Sequence, residues 1–328
     1  MYAGLPKIGA LAKTLEDKSV KTVFLDGLMA SAAPMVFGAL ASKCLSAVLF
    51  ILQDADEAGY FYHDLTQVTG GETVLYFPSS YKRAVKYGQR DAASEILRTE
   101  TLSRLAARKA EDTAPLYVVT YPEAVAELVV SRKRLDSRTL SLRQGQTADM
   151  PDMMRTLRDF GFREVDYVYE PGQFALRGSI LDVYSYSCEY PFRLDFFGDE
   201  IDSIRTFEVE TQLSLERKEC IDIMPELARI AEDRVPLLSF LPADTLLVMK
   251  DSEFIRHAVS RIYDEGFSQQ AVMEQMEGAT EMEQQEISRR LRKDLQLVSG
   301  SRFAQDTADF RIIEIGRRPV IQPDATIK

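Results

Sequence analysis

The sequence predicts an α/β fold: a discontinuous, P-loop-like parallel-sheet domain with a smaller α+β domain of antiparallel strands inserted into it. Three observations predict it. Residues 1–135 alternate short, nearly continuous apolar runs with helix-length segments, the pattern of parallel strands covered on both faces. Residues 169–212 carry runs of alternating polarity separated by turn residues, the pattern of antiparallel strands with one wet face. From Glu226 the strand-and-helix alternation returns, so the two ends of the chain would complete one sheet around the insertion. The segments are 1–135, 136–224 and 225–328.

In the first segment the apolar runs 22–26, 47–52, 73–77 and 116–120 read as strands. Between them, 54–68 and 91–109 are long enough for helices. The second of these places Ile96, Leu97, Leu102 and Leu105 near one stripe, with Arg98, Arg104 and Arg108 toward water. The first strand runs into Gly27, where a phosphate cradle belongs. Such a cradle needs glycines for close backbone approach, a Lys for the β/γ oxygens and a hydroxyl for Mg²⁺. Counted from Gly27, the second glycine is Ala32, the lysine is Ala33 and the hydroxyl is Pro34. Proline also removes an amide donor, and Ser31 stands one place too early to substitute. The loop is read as inactive toward nucleotide.

The insertion opens with a helix in which Asp149 serves as N-cap, Pro151 sits just inside and Gly161 closes the end. Its stripe of Met153, Met154, Leu157 and Phe160 reads as core packing. Pro171-Gly172 then signals a turn, 174–184 is rich in apolar and β-branched residues, and 190–197 alternates. Phe192, Leu194 and Phe196 share one face, while Arg193, Asp195 and Phe197 share the other. Gly198-Asp199 turns the chain into 201–209, and 221–225 leads out. A Phe beside an Arg on the water side suits an interface, where aromatic and Arg side chains act as anchors. The alternative is that Phe197 tucks under a neighbouring loop.

In the last segment 245–249 is a strand followed by Lys250-Asp251. An ATPase would place an acidic pair there; a single Asp251 reads as a strand-end carboxylate in water rather than a metal ligand. A helical stretch ends over 262–267, and a polar helix over 281–298 carries Ile287, Leu291, Leu295 and Val298 in register until Gly300 stops it. Residues 311–315 form another strand.

Composition narrows the function classes. The 328 residues are 45% hydrophobic and 28% charged, which suits a water-soluble chain with two or three cores. No apolar run approaches the roughly 20 residues of a membrane span, and no secretory leader is legible. Cys44, Cys188 and Cys220 are an odd number and widely spaced, so neither a disulfide framework nor a zinc site is expected, and a reducing cytoplasm is the expected compartment. His63 and His257 each stand alone, without a catalytic pattern. The net charge of −11 is uneven: +1 over 1–135, −8 over 136–224 and −4 over 225–328. A phosphate-backbone binder needs a basic face, so the insertion points to a protein partner. Lys82, Lys86 and Arg90, with Arg83, Tyr81 and Tyr87 among them, leave a DNA-binding strip as a rival reading; the bland one is a solvated helix face. The second basic cluster, Arg132, Lys133, Arg134 and Arg138, reads as the exit into the insertion.

The run PGQFALRGSILDVY, followed by PFRLDFFGDEIDSIRTFEVETQ, resembles the signature shared by the nucleotide excision repair protein UvrB and the transcription-repair coupling factors (Mfd). Within that family the resemblance is to the N-terminal UvrB-homologous module, with domains 1A, 2 and 1B. It covers nearly the whole chain, most specifically 169–212. It implies a second domain that binds UvrA, the damage-recognition ATPase, with the contacts falling on Arg177, Arg193 and Phe197. The physics it suggests is two guanidinium groups hydrogen-bonding partner carboxylates and one aromatic ring in an apolar pocket. Loss of any one would then weaken binding by roughly 1–4 kcal/mol with little effect on folding. UvrB keeps a working nucleotide site, whereas the coupling factors carry it eroded, and Ala33 and Pro34 match the eroded form. The resemblance thus implies a non-catalytic, cofactor-free, metal-free binding module, expressed as a fragment. Its parent would be an ATP-driven DNA translocase acting on stalled RNA polymerase, through parts absent here. A UvrB-type excision nuclease subunit or a DNA-dependent ATPase is the alternative.

Overall fold

A computed structural model describes residues 6–28, 32–40, 47–80, 92–109, 112, 114–230, 232–265, 296–316 and 318–327. The chain divides into two compact units. The first is drawn from 1–89, 104–129 and 234–328, the second from 90–103 and 130–233.

Along the chain, α1 (Pro6–Glu16) precedes β1 (Thr22–Asp26), α2 (Ala32–Leu40), β2 (Ala47–Ile51), α3 (Ala55–Thr69) and β3 (Val74–Tyr76). Then come α4 (Ala92–Ala107), β4 (Leu116–Thr120), α5 (Pro122–Ala126) and the two-residue β5 (Val129–Val130). β2 and β4 are buried along their whole length, as the unbroken apolar runs predict. Asp54 caps α3 by accepting a hydrogen bond from the Glu57 amide at 2.9 Å. One reading of α4 is corrected. Arg98 is buried, together with Glu95 and Thr99. These three lie on the helical face that also buries Leu102 and Leu105, while Ile96 and Leu97 of the expected stripe are only partly buried.

The second unit follows with α6 (Arg132–Ser137), β6 (Leu140–Arg143), α7 (Met150–Asp159), β7 (Arg163–Glu164), β8 (Gln173–Arg177), β9 (Ile180–Tyr184), β10 (Phe192–Phe197), β11 (Glu200–Phe207), β12 (Ser214–Arg217) and β13 (Cys220–Ile223). Six strands form one sheet in the order β12-β11-β10-β9-β8-β7, antiparallel except for the short β7–β8 pairing. The expected last strand, β13, pairs with β6 in a separate ribbon. Asp149 accepts from the Asp152 amide at 2.8 Å and so caps α7. Gly161, at φ +86°, follows the helix in the left-handed region that glycine tolerates best. The buried side chains of α7, Met153 and Leu157, pack on Phe174, Leu181, Val183, Phe192, Leu194 and Phe196. Met154 and Phe160 cover that core from its edge. At about 25 cal/mol per Å² of apolar area removed from water, this core supplies the chief drive for the unit to fold.

The chain returns through β14 (Arg234–Val235) to β15 (Leu246–Lys250), α8 (Ser252–Glu265), α9 (Gly300–Thr307), β16 (Arg311–Gly316) and β17 (Ala325–Ile327). The seven-stranded sheet of the first unit is parallel throughout, in the order β17-β1-β16-β15-β2-β4-β3. Strands from both ends of the chain therefore share one sheet. Glu314 of β16, 1% exposed, accepts from the Ser252 amide and hydroxyl and from the Val320 amide, which ties three segments together. The basic strip around Lys82–Arg90 and most of the expected helix over 281–298 lie outside the described residues.

Candidate functional site on the antiparallel sheet

One face of the six-stranded sheet is the core; the other carries the candidate residues. Along β10 burial alternates strictly until Phe197, which is 84% exposed. The reading in which Phe197 tucks under a loop is thereby overturned. The β10–β11 turn is the two-residue Gly198-Asp199, with Gly198 at φ +62°, and it holds Phe197 opposite Glu200.

Arg177 on β8 and Arg193 on β10 flank β9 and both reach Asp182, Arg177 diagonally from its place opposite Ile180. Asp182 faces Arg193 directly in the β9–β10 register. Its carboxylate, 1% exposed, accepts from Arg193 Nε at 2.7 Å and from Arg193 Nη2 at 2.9 Å, and it also accepts from Arg177 Nη2. Sequence reasoning passed over Asp182, although its period-two position marks it as an outward residue of β9. Carboxylate-to-guanidinium hydrogen bonds of this kind are charge-assisted and roughly twice as strong as neutral ones.

Each arginine is pinned from its other side as well. Arg193 donates to the Gln212 carbonyl at 3.3 Å and to its side-chain Oε1 at 2.9 Å, and its guanidinium lies 4.2 Å from the centroid of the Phe207 ring. The hydrogen-bonded Asp182 carboxylate raises the Arg193 pKa above the ordinary guanidinium value. Arg177 donates to the Asp166 carbonyl at 3.0 Å and stacks 4.8 Å from the Tyr167 ring centroid. Of the two guanidinium groups expected to meet a partner, Arg193 is the more covered. Its side chain is only 15% exposed and donates to Asp182 and Gln212 within the unit, whereas that of Arg177 remains 34% exposed. A second pair, Arg205 with Asp195, continues the polar rows on the same face, and Ser203 donates to Asp195 at 3.1 Å.

The other predicted positions fall in the first unit. Gly27 ends β1 at φ +77°, and α2 starts at Ala32 with Ala33 and Pro34 buried. Ser31 lies outside the described residues. No cation or hydroxyl therefore stands at the lysine and Ser/Thr positions of the cradle. At the end of β15, Lys250 pairs with Glu57 of α3. Asp251 is not simply a solvated carboxylate: its Oδ1 accepts from the Phe254 amide at 3.0 Å and caps the first turn of α8. Among the described residues no group of three or more His, Cys, Asp or Glu is placed to hold a metal ion, and no helix is long and apolar enough to cross a membrane.

Residues 140–228 match the family model described as the UvrB interaction domain, which places the sheet and its Asp182-centred network inside that domain. The class this match points to is that of proteins carrying a UvrB interaction domain. The particular likeness is to transcription-repair-coupling factors. That of Escherichia coli is 28% identical over 251 residues, 76% of this chain and 21% of the relative. That of Haemophilus influenzae is 42% identical over 91 residues, 28% of this chain and 8% of the relative. That of Bacillus subtilis is 26% identical over 208 residues, 63% of this chain and 17% of the relative. The alignments thus span about a fifth or less of the length of these curated relatives.

Proposed function

We propose that the second unit recruits UvrA through the outward face of its antiparallel sheet, with Phe197, Arg177 and Arg193 as the binding set. The observation that carries this is Phe197. A large aromatic side chain, 84% exposed at the end of β10, contributes nothing to its own core, yet it stands on the face where two arginines are locked in place. Pre-organised aromatic and Arg side chains are the usual hot spots of protein interfaces. Arg177 would meet the partner directly, and Arg193 would hold Asp182 and the neighbouring loop in position.

The reading extends to a chain without catalysis of its own, supported by Ala33 and Pro34 in place of the phosphate-binding lysine and hydroxyl. Partners of the larger assembly, RNA polymerase and DNA among them, and an ATP-driven translocase activity would belong to segments beyond this chain. The test is calorimetric titration of UvrA with the wild-type chain and with Phe197→Ala and Arg177→Ala at two salt concentrations. The expected result is binding that each substitution weakens, with the Arg177 effect shrinking as salt rises. No measurable binding by the wild-type chain would overturn the proposal.

A further inference from the structure

The outward face does not end at the three residues already named. Two more large apolar side chains stand exposed beside it: Tyr167 stacks on Arg177, and Leu213 belongs to the loop whose Gln212 holds Arg193. Tyr167, 51% exposed, stacks on Arg177. Its loop is fastened on both sides: the Val165 amide donates to the Phe174 carbonyl at 2.9 Å, Val168 is 1% exposed, and Gln173 accepts from the Tyr169 amide at 2.8 Å. Leu213 is 67% exposed and directly follows Gln212, the residue that grips Arg193. That loop is closed by hydrogen bonds from the Gln212 amide to the Glu208 carbonyl at 2.8 Å and from the Glu208 amide to the Leu213 carbonyl at 2.9 Å. Gln212 itself sits at φ +59°, a conformation seldom adopted by a side-chain-bearing residue.

A continuous chain of contacts therefore runs across the strands from Tyr167 through Arg177, Asp182 and Arg193 to Gln212, whose neighbour along the chain is Leu213. Single exposed apolar residues are ordinary on any protein surface. Apolar side chains at both ends of one rigid polar row are different, because such a partner site pays little ordering entropy on binding. The charges also select an occupant. Arg177 and Arg193 against the one buried carboxylate of Asp182 leave one positive charge, while Asp195 and Arg205 cancel. This residual cation lies in a segment, 136–224, whose net charge is −8, so a phosphate backbone is disfavoured. A protein surface offering one carboxylate between two apolar side chains fits.

We infer that Tyr167 and Leu213 are contact residues at opposite ends of the docking face, and that the partner presents a carboxylate to Arg177 flanked by apolar side chains that cover Tyr167 and Leu213. This rests on the UvrA-binding reading. The partner is thus met by a strip across β8 to β11, wider than the Phe197 strand end.

UvrA is titrated calorimetrically into the wild-type chain, Phe197→Ala, Tyr167→Ala, Tyr167→Phe and Leu213→Ala. Tyr167→Ala and Leu213→Ala should each raise Kd by about fivefold or more, the size that separates a contributing interface contact from a neutral one, and Tyr167→Phe should stay within about twofold. Tyr167→Ala should also weaken binding in the Arg177→Ala background. Hydroxyl-radical footprinting of the wild-type complex, which needs no variant to fold, should show Tyr167 and Leu213 protected. Affinity within about twofold for either alanine variant, with Phe197→Ala weakened, would overturn this inference and leave the broader reading standing. A Tyr167 effect that vanishes without Arg177, or a footprint with either residue unprotected, would overturn it equally. Failure of the wild-type chain to bind UvrA would remove the reading beneath it.

Discussion

Arg193 and Asp182 form a two-point pair across β9 and β10: Nε donates to Oδ1 at 2.7 Å and Nη2 to Oδ2 at 2.9 Å, with the acid 1% and the base 15% exposed. Breaking such a pair from one side leaves an uncompensated charge away from water. Asp182→Ala strands two guanidinium groups at once and should destabilise the second unit by about 3 kcal/mol. Arg193→Ala leaves Asp182 its Arg177 contact and should cost less, about 2 kcal/mol. Urea unfolding of the variants checks both values. Wild-type stability for Asp182→Ala would mean that the network is decorative.

Phe197 should behave oppositely. A side chain 84% exposed removes little area from water, so Phe197→Ala should unfold within about 0.5 kcal/mol of wild type. If the docking proposal holds, UvrA affinity should fall by about 2 kcal/mol in the same variant. Binding and stability measured on one preparation separate the two roles: Phe197 loses only binding, whereas Arg193 loses both.

With Ala33 and Pro34 at the cradle, Mg-ATP should give no heat of binding at millimolar concentration and leave the thermal midpoint unchanged. Any ligand that binds the native state at saturating concentration raises that midpoint, so a clear shift would argue for a working nucleotide site.

Burial, reinforced by Glu226, pushes the Tyr186 hydroxyl up to about 12. An unfolded tyrosine ionises near pH 10. Between those values the native state keeps a proton that the unfolded state has released, so stability is complete below about pH 10 and drains as pH rises toward 12. Tyr186→Phe should flatten that alkaline decline. Equal slopes for variant and wild type between pH 9.5 and about 12 would exclude Tyr186 as its source.

Much of the architecture was legible in residue order. The unbroken apolar runs at β2 and β4, the alternation along β10, the Asp149 cap and the Gly198-Asp199 turn are local preferences, and local preference was enough to place each of them. The outward position of Arg193 and Phe197 follows from period two, while Arg177 was singled out by the resemblance over 169–212. Periodicity failed on α4, where Arg98 is buried, because a charged side chain can be covered once the surroundings satisfy it.

The sequence by itself therefore determined strands, turns and the loss of the cradle's lysine and hydroxyl, all written in neighbours a few residues apart. Only the tertiary structure decided that Asp182 holds two arginines, that Arg193 is spoken for while Arg177 and Phe197 stay open, and that Tyr167 and Leu213 border the same row. Those relations join residues up to 46 positions apart, from Tyr167 to Leu213, and depend on strand register and loop closure, which no local pattern encodes.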